Sequence, residues 1–65
     1  MFKGSMKVNK THSQGYFLKD EIIPVVKYKN ENHYRMLRPN GITCLILNSY
    51  INKIFNENGE IINGK

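Results

Sequence analysis

The chain has 65 residues, ten Lys and Arg against five Asp and Glu, and a formal net charge of +5. A chain of this length forms one domain with a thin core, which a homodimer or a bound partner would supplement. A single cysteine excludes an internal disulfide and a cysteine zinc site within the chain, and no apolar run reaches the roughly 20 residues of a membrane-spanning helix.

The composition indicates an origin and a class of partner. Nine Asn, eight Lys and eight Ile stand against no Ala and no Trp. Codons for the favoured residues are rich in A and T, so we expect the genome of a low-GC bacterium or its phage. The positive charge favours acidic partners without defining one. Without a signal-peptide core, the protein is expected in the cytoplasm, that of the host if a phage encodes it.

The first third of the chain contains one short strand and a long loop. Gly-Ser directly before a second methionine resembles a cloning junction, so residues 1–5 are expected to be either non-native or a disordered tail. Residues 6–8 are a strand candidate, and the polar residues 9–15 form a loop. The apolar patch at residues 16–18 is expected to fold back onto the core.

Residues 22–47 predict three strands separated by two turns. The segment 22–29 is rich in β-branched residues, but Pro24 cannot donate a ladder hydrogen bond, so this strand is expected to begin near Val25 or to run along an edge. A three-residue turn at 30–32 places Val26 opposite Met36, and a second turn follows at 39–41. Depending on its length, that second turn places Thr43 or Leu45 opposite Met36.

This register divides the side chains between two faces. The face expected in the core contains Val26, Tyr28, Tyr34, Met36, Leu45 and Leu47. The opposite face contains Lys27, Lys29, His33 and Arg35, together with Cys44 and Ile46. A register error of one residue would move each side chain of a strand to the other face.

The C-terminal third predicts a closing strand and a further hairpin. Residues 48–51 fit a single helical or 3-10 turn, because Asn48 or Ser49 can cap exposed N–H groups. A strand at 53–55 would follow it. Asn58-Gly59 is a hairpin signal that lets Phe55 pair with Ile61 or Ile62. Residues 56–65 are therefore either an additional hairpin or a flexible tail.

The order of these features resembles small SH3-like barrel proteins of low-GC bacteria and their phages. The resemblance covers most of residues 6–55 and implies an all-β, five-stranded barrel with a long first loop and one 3-10 turn before the last strand. Recognition of PxxP peptides is not expected, because the chain has no Trp for a proline-binding groove. The resemblance is carried by Lys7-Val8, Tyr16, Leu18-Lys19-Asp20, Val25-Val26, Tyr34-Arg35-Met36-Leu37, Asn40-Gly41, Leu45, Ser49-Tyr50 and Ile54.

No arrangement in the sequence points to catalysis or to a cofactor. His12 and Ser13 are neighbours in a loop, with no third group to orient the imidazole. Cys44 lies in an apolar strand, where cysteine usually behaves as a small hydrophobic residue. His12 and His33 lack the spacing of paired metal ligands. We therefore expect a protein that is not an enzyme and holds neither metal nor cofactor.

Binding remains, and two classes of partner compete. In the first, the chain is an interaction module that docks on a protein with an acidic surface, for example as a phage-encoded inhibitor or modulator of a host replication, transcription or defence protein. In the second, the same residues bind DNA or RNA, with phosphates neutralised by lysines and an exposed tyrosine stacking a base. A structural subunit of a larger particle is a third class. The candidate binding residues are Lys27, Lys29, His33, Arg35, Leu37, Arg38, Ile46 and Tyr50.

The protein partner is preferred because the chain has only two Arg. Arg supplies most specific contacts to bases and phosphates. Apolar candidates such as Leu37 and Ile46 would also contribute little to phosphate binding. The identity of the partner and the direction of any regulatory effect do not follow from the sequence.

Overall fold

The computed structural model describes residues 1–64. Its elements are, in chain order, β1 Phe2–Val8, β2 Ile22–Lys27, β3 Arg35–Leu37, β4 Thr43–Leu45, the 3-10 turn Asn48–Tyr50, β5 Ile51–Asn56 and β6 Ile61–Gly64.

All six strands form one antiparallel sheet in the order β4-β3-β2-β1-β5-β6. The prediction of an all-β fold with a 3-10 turn before the closing strand is confirmed, and so is the additional C-terminal hairpin, formed by β5 and β6. Within residues 1–64 no pairing joins β4 to β6. The sheet is therefore open, and its closure into a barrel stays a prediction.

The hydrophobic core lies on one face of the sheet, here called the inner face. Met6 and Val8 of β1 and Ile54 of β5 are completely buried there. Side chains alternate along a strand, so Ile23 and Val25 of β2 belong to this face, whereas Pro24 and Val26 lie on the opposite, outer face. The other members of the core are Phe17, Met36, Ile46 and Ile51.

Residues 2–5 are part of the sheet, contrary to the expectation of a disordered tail. They are the first half of β1, which pairs with β2 on one side and β5 on the other. Gly4 lies so close to its neighbours that a Cβ atom would collide with the carbonyl oxygen of Phe55 and lie 2.7 Å from Cζ of Phe2. This close approach of backbones requires glycine.

Pro24 is accommodated inside the sheet because the neighbouring ladder begins after it. Pro24 is opposite Ser5 of β1, but the pairing of β2 with β3 starts at Val25. The missing N–H therefore leaves no ladder bond to β3 unmade. The strand itself begins at Ile22, earlier than predicted, and it is not an edge.

The connection between β2 and β3 is longer than the predicted three-residue turn. It spans residues 28–34 and begins with a hydrogen-bonded β-turn at residues 28–31. As a result Val25 is opposite Met36. The predicted pairing of Val26 with Met36 is wrong by one residue.

The register between β3 and β4 differs from both predicted alternatives. Arg38 donates its backbone N–H to the carbonyl of Ile42 at 3.0 Å and closes a three-residue loop at 39–41. Met36 is consequently opposite Cys44, rather than either neighbour of Cys44 in β4.

These shifts reverse several predicted orientations. Ile46, expected on the charged face, is only 2% exposed and belongs to the core. Leu45 and Leu47, expected in the core, are 52% and 53% exposed, and Tyr28 is also exposed. A shift of one residue moves every side chain to the other face, which explains these errors. The predicted burial of Met36 is confirmed.

Two hairpin turns share the same backbone geometry. Gly41 and Gly59 have φ angles of 82° and 83°, in the left-handed region that glycine adopts without steric cost. Each follows an asparagine and donates its N–H to the carbonyl three residues earlier. Both predicted turn signals are confirmed, and Phe55 is opposite Ile61, one of the two predicted pairings.

The long first loop, residues 9–21, is fastened to the 3-10 turn and to the core. The backbone N–H of Asn9 donates to the carbonyl of Tyr50 at 2.9 Å, and its side-chain amide donates to the carbonyl of Ser49 at 2.8 Å. Phe17 is buried, so the predicted return of the apolar patch to the core is confirmed for this residue.

Candidate binding groove

The predicted binding residues do not share one surface. Ile46 lies in the core, so its prediction as a surface anchor is wrong. Lys27 lies toward the inner face, with its Nζ 5.5 Å from the centre of the Tyr34 ring, and Lys29 and His33 belong to the 28–34 connection.

The remaining four candidates fall into two places. Arg35 and Leu37 alternate with the buried Met36 and lie on the outer face. Arg38 and Tyr50 lie beside aromatic side chains of the first loop. The binding role of these four residues, like that of Lys27, Lys29 and His33, stays a prediction.

Arg35 is already paired within the chain. Its Nε donates to Oε1 of Glu31 at 2.8 Å and its Nη2 donates to Oε2 at 2.7 Å. The hydrogen bond from Arg35 lowers the pKa of the Glu31 carboxyl, and the same bond raises the pKa of Arg35. This two-pronged contact uses the geometry by which arginine binds carboxylates and phosphates, so Arg35 is not a free anion-binding group.

The register of the strands places an apolar row across the outer face. Pro24 of β2 is opposite Ser5 of β1, which is in turn opposite Phe55 of β5. On the other side of Pro24, the β2–β3 register continues to Leu37, which is 41% exposed. Val26 lies beside this row and is almost fully buried.

Two adjoining depressions follow this row and form one groove, which we call the outer groove. The first measures about 360 Å³ and is lined in part by Lys3, Val26 and Glu57. The second measures about 530 Å³ and is lined in part by Tyr16 and Arg38. Both are lined by Pro24 and Leu37, so this exposed apolar pair lies where the two depressions meet.

One end of the outer groove is aromatic and cationic. The guanidinium carbon of Arg38 is 4.7 Å from the centre of the Tyr16 ring, a cation–π distance. Tyr16 also stacks on His12, with ring centres 4.7 Å apart, and His12 in turn packs against Tyr50. Lys10 lies 4.9 Å from the centre of the Tyr50 ring. Positive charge and aromatic surface are therefore combined at this end.

Lysines border the rest of the outer face. Alternation along β1 and β5 places Lys3, Lys7 and Lys53 on this face, and Lys7 is directly opposite Lys53. Like charges at opposite positions destabilise a sheet, and a bound anionic group would relieve their repulsion. Within residues 1–64 the one salt bridge joins Arg35 to Glu31, so these lysines are not neutralised by ion pairing.

Groove residues that were not predicted include Lys3 of β1 and Pro24 and Val26 of β2, two strands separated in the chain by the long first loop. Side-chain alternation along each strand was the available signal. In β2, Ile22, Pro24 and Val26 alternate with the buried Ile23 and Val25, and in β1, Lys3 and Lys7 lie on the face opposite the buried Met6. The strand order that brings these rows together could not be read from this alternation.

The described residues hold no other group with evident chemistry. His12 Nδ1 accepts a hydrogen bond from the backbone N–H of Gln14 at 3.0 Å, so this ring nitrogen is occupied within the first loop. Nowhere in residues 1–64 do three or more His, Cys, Asp and Glu side chains gather as metal ligands would. In the same part of the chain, no helix has the length and apolar character that crossing a membrane requires.

Comparison with protein-family models, curated proteins and solved structures gave no match to this chain. The resemblance to SH3-like barrel proteins therefore stays a prediction.

Proposed function

We propose that the protein is a non-enzymatic binding module for another protein, and that the partner lies along the outer groove. The observation that carries this proposal is the exposed apolar pair Pro24 and Leu37 in the groove, on a face whose lysines form no ion pair within residues 1–64. Apolar contact surrounded by charge is the composition of a protein–protein interface. The lysines on the same face favour a partner with acidic residues beside an apolar side chain.

A protein partner accounts for the outer groove better than a nucleic acid does. Arg35 is already paired with the carboxylate of Glu31, and the guanidinium of the other arginine, Arg38, lies over the Tyr16 ring. A nucleic acid would use the lysines but would leave the exposed apolar surface of Leu37 without a complementary surface. We place the module in the cytoplasm, and its role as a phage-encoded modulator of a host protein remains part of the proposal.

Single-stranded nucleic acid is the second candidate, favoured by one specific observation. Tyr16 is 41% exposed, and its ring contacts the ring of His12 and the guanidinium of Arg38. An exposed aromatic ring with adjacent positive charge is the arrangement on which unpaired bases stack.

Affinity capture with paired variants tests the protein-binding proposal. Leu37→Glu places a charge in the outer groove, and Leu18→Glu makes the same change at a 64% exposed position in the first loop. In an extract of the cells that carry the gene, wild type and Leu18→Glu should retain the same partner, and Leu37→Glu should lose it. An unchanged set of captured proteins for Leu37→Glu would refute the outer groove as the interface.

Charge reversal tests whether the partner is acidic. Lys53→Glu removes one of the two opposed lysines, and Lys19→Glu changes the net charge equally at an exposed position of the first loop. Only the first should weaken capture of the partner. Equal weakening by both variants would mean that overall charge, rather than the outer face, attracts the partner.

Titration of a labelled single-stranded oligonucleotide at about 50 mM and about 200 mM salt distinguishes the second candidate. Binding that falls steeply with salt, is weakened in Lys53→Glu and persists in Leu37→Glu would favour nucleic acid over protein. No binding at the lower salt concentration would eliminate the nucleic-acid candidate.

A further inference from the structure

We propose that β4 pairs edge to edge with β4 of a second copy of this chain. The inference uses a surface separate from the outer groove, and its test needs no other partner. The failure of one proposal therefore leaves the other standing.

The backbone of β4 has one unpaired side. The N–H of Arg38 donates to Ile42 and the N–H of Ile46 donates to Tyr34, so residues 42, 44 and 46 direct their backbone groups toward β3. The alternation of an antiparallel ladder then directs the N–H and C=O groups of Thr43 and Leu45 away from β3. Within residues 1–64, β4 is the last strand on this side of the sheet.

The side chains around this edge do not protect it. Ile42, Leu45 and Leu47 are between 52% and 56% exposed, and residues 42–47 contain no charge and no proline. Soluble proteins usually place lysine, proline or a bulge on such an edge to prevent strand addition. This edge carries none of those side-chain features, and it is apolar enough to be stabilised when covered.

A second copy fits this edge better than an acidic partner does. The molecule carries a net charge of +5, which makes two copies repel, but the segment 42–47 is neutral. The nearest charge on the adjoining strand, Arg35, is neutralised by Glu31. Two copies can therefore approach here with little repulsion, whereas an acidic segment finds no cation within the edge to attract it.

One antiparallel register satisfies all four outward groups of β4. When Thr43 of one copy is opposite Leu45 of the other, two-fold symmetry creates two such Thr43–Leu45 pairs. Both are hydrogen-bonded pairs, so four backbone bonds form between the copies. The two-fold axis then passes between the two Cys44 residues, which become a non-hydrogen-bonded pair with Cα atoms about 4.5 Å apart. That separation lies within the range that a disulfide spans.

The proposal is tested by sedimentation equilibrium from about 10 µM to about 1 mM, since a contact this small forms a weak dimer. Thr43→Pro removes the outward N–H without touching the ladder to β3, and Thr43→Val keeps that N–H while losing the same hydroxyl. Wild type and Thr43→Val should dimerise as concentration rises. Thr43→Pro should raise the dissociation constant at least about tenfold, because two inter-chain bonds per dimer are lost.

Two results would overturn the inference. A wild-type protein that is monomeric at every concentration would exclude the dimer, and dimerisation of Thr43→Pro as strong as that of Thr43→Val would locate it elsewhere. If circular dichroism shows that Thr43→Pro is unfolded, Leu45→Lys serves instead, because Leu45 is exposed and a lysine there adds repulsion across the edge.

Trapping with diamide tests the register. The two Cys44 thiols lose two protons and two electrons as their disulfide forms, and diamide accepts both and is reduced to its hydrazine. A disulfide-linked dimer should form quickly in Thr43→Val and much more slowly in Thr43→Pro, although Cys44 is the same in both. Equal rates in the two variants would reject the proposed register.

Discussion

The guanidinium of Arg35 is held by the carboxylate of Glu31, four residues earlier in the 28–34 connection. The same side chain lies 5.9 Å from the centre of the Tyr28 ring. It therefore fixes the connection between β2 and β3 against the outer face. Its part in the molecule is first structural, whatever it contributes to a partner.

The Glu31 carboxyl should titrate below its usual value near 4.5, because Arg35 donates two hydrogen bonds to its charged form. A carboxyl with a lowered folded-state pKa stabilises the fold above its unfolded-state pKa, and this contribution is lost as pH falls through the folded-state value. An NMR titration of wild type and Arg35→Gln measures the shift. In Arg35→Gln the pKa should return toward 4.5.

The same linkage predicts the behaviour of Glu31→Gln. This variant should be less stable than wild type to urea at neutral pH and should approach wild-type stability in acid, where Glu31 is protonated in both states. A stability difference that does not change with pH would contradict the assigned ion pair.

At the scale of elements, β1 depends on a glycine that no other residue can replace without movement of the backbone. We expect Gly4→Ala to lower the free energy of unfolding by about 1–3 kcal/mol, because the added methyl overlaps the Phe55 carbonyl. Urea denaturation followed by circular dichroism measures this change. Ser5→Ala, the next position of the strand, is the control and should have a much smaller effect.

A Gly4→Ala protein as stable as Ser5→Ala would contradict the placement of residues 2–5 in the sheet. Such a result would restore the expectation that these residues form a tail outside the fold.

Two of the three predicted turns could be read from the sequence, whereas the registers could not. Asn40-Gly41 and Asn58-Gly59 each favour a turn, because glycine adopts the left-handed backbone conformation without steric cost. This preference is a local property of the residue. Register depends on which pair of residues closes each connection, and a seven-residue connection at 28–34 replaced the expected three. In the pairing of β3 with β4, one residue of difference was enough to bury Ile46 and expose Leu45.

The candidate site was less predictable than the fold. Leu37 and Arg38 were among the expected binding residues, and both line the outer groove. Lys3 and Pro24 were not expected, because they join the groove only through the pairing of β1 with β2 and the placement of β3 beside β2. Such long-range neighbours follow from strand order, on which local patterns carry little information.

At the scale of the whole molecule, a few side chains account for much of the stability. We expect Ile54→Ala to cost about 2–5 kcal/mol, since Ile54 is fully buried and its removal leaves a cavity. That loss is comparable with the entire stability of a domain this small, so a large fraction should be unfolded at 25 °C. Thermal denaturation measures the loss.

Ile62→Ala provides the matched control for Ile54→Ala. Ile62 is 48% exposed in β6, so the same substitution there should change stability by no more than about 0.5 kcal/mol. Equal destabilisation by the two substitutions would contradict the assigned core.

The position of β1 between β2 and β5 also sets the order in which the chain can fold. Gly4 is opposite Asn56, 52 positions later, so one side of this strand stays unpaired until β5 has been synthesised. Contacts between such distant residues require closure of a long loop and slow the folding rate. Of the six strands described, β1 is synthesised first and is therefore among the last to complete its pairing.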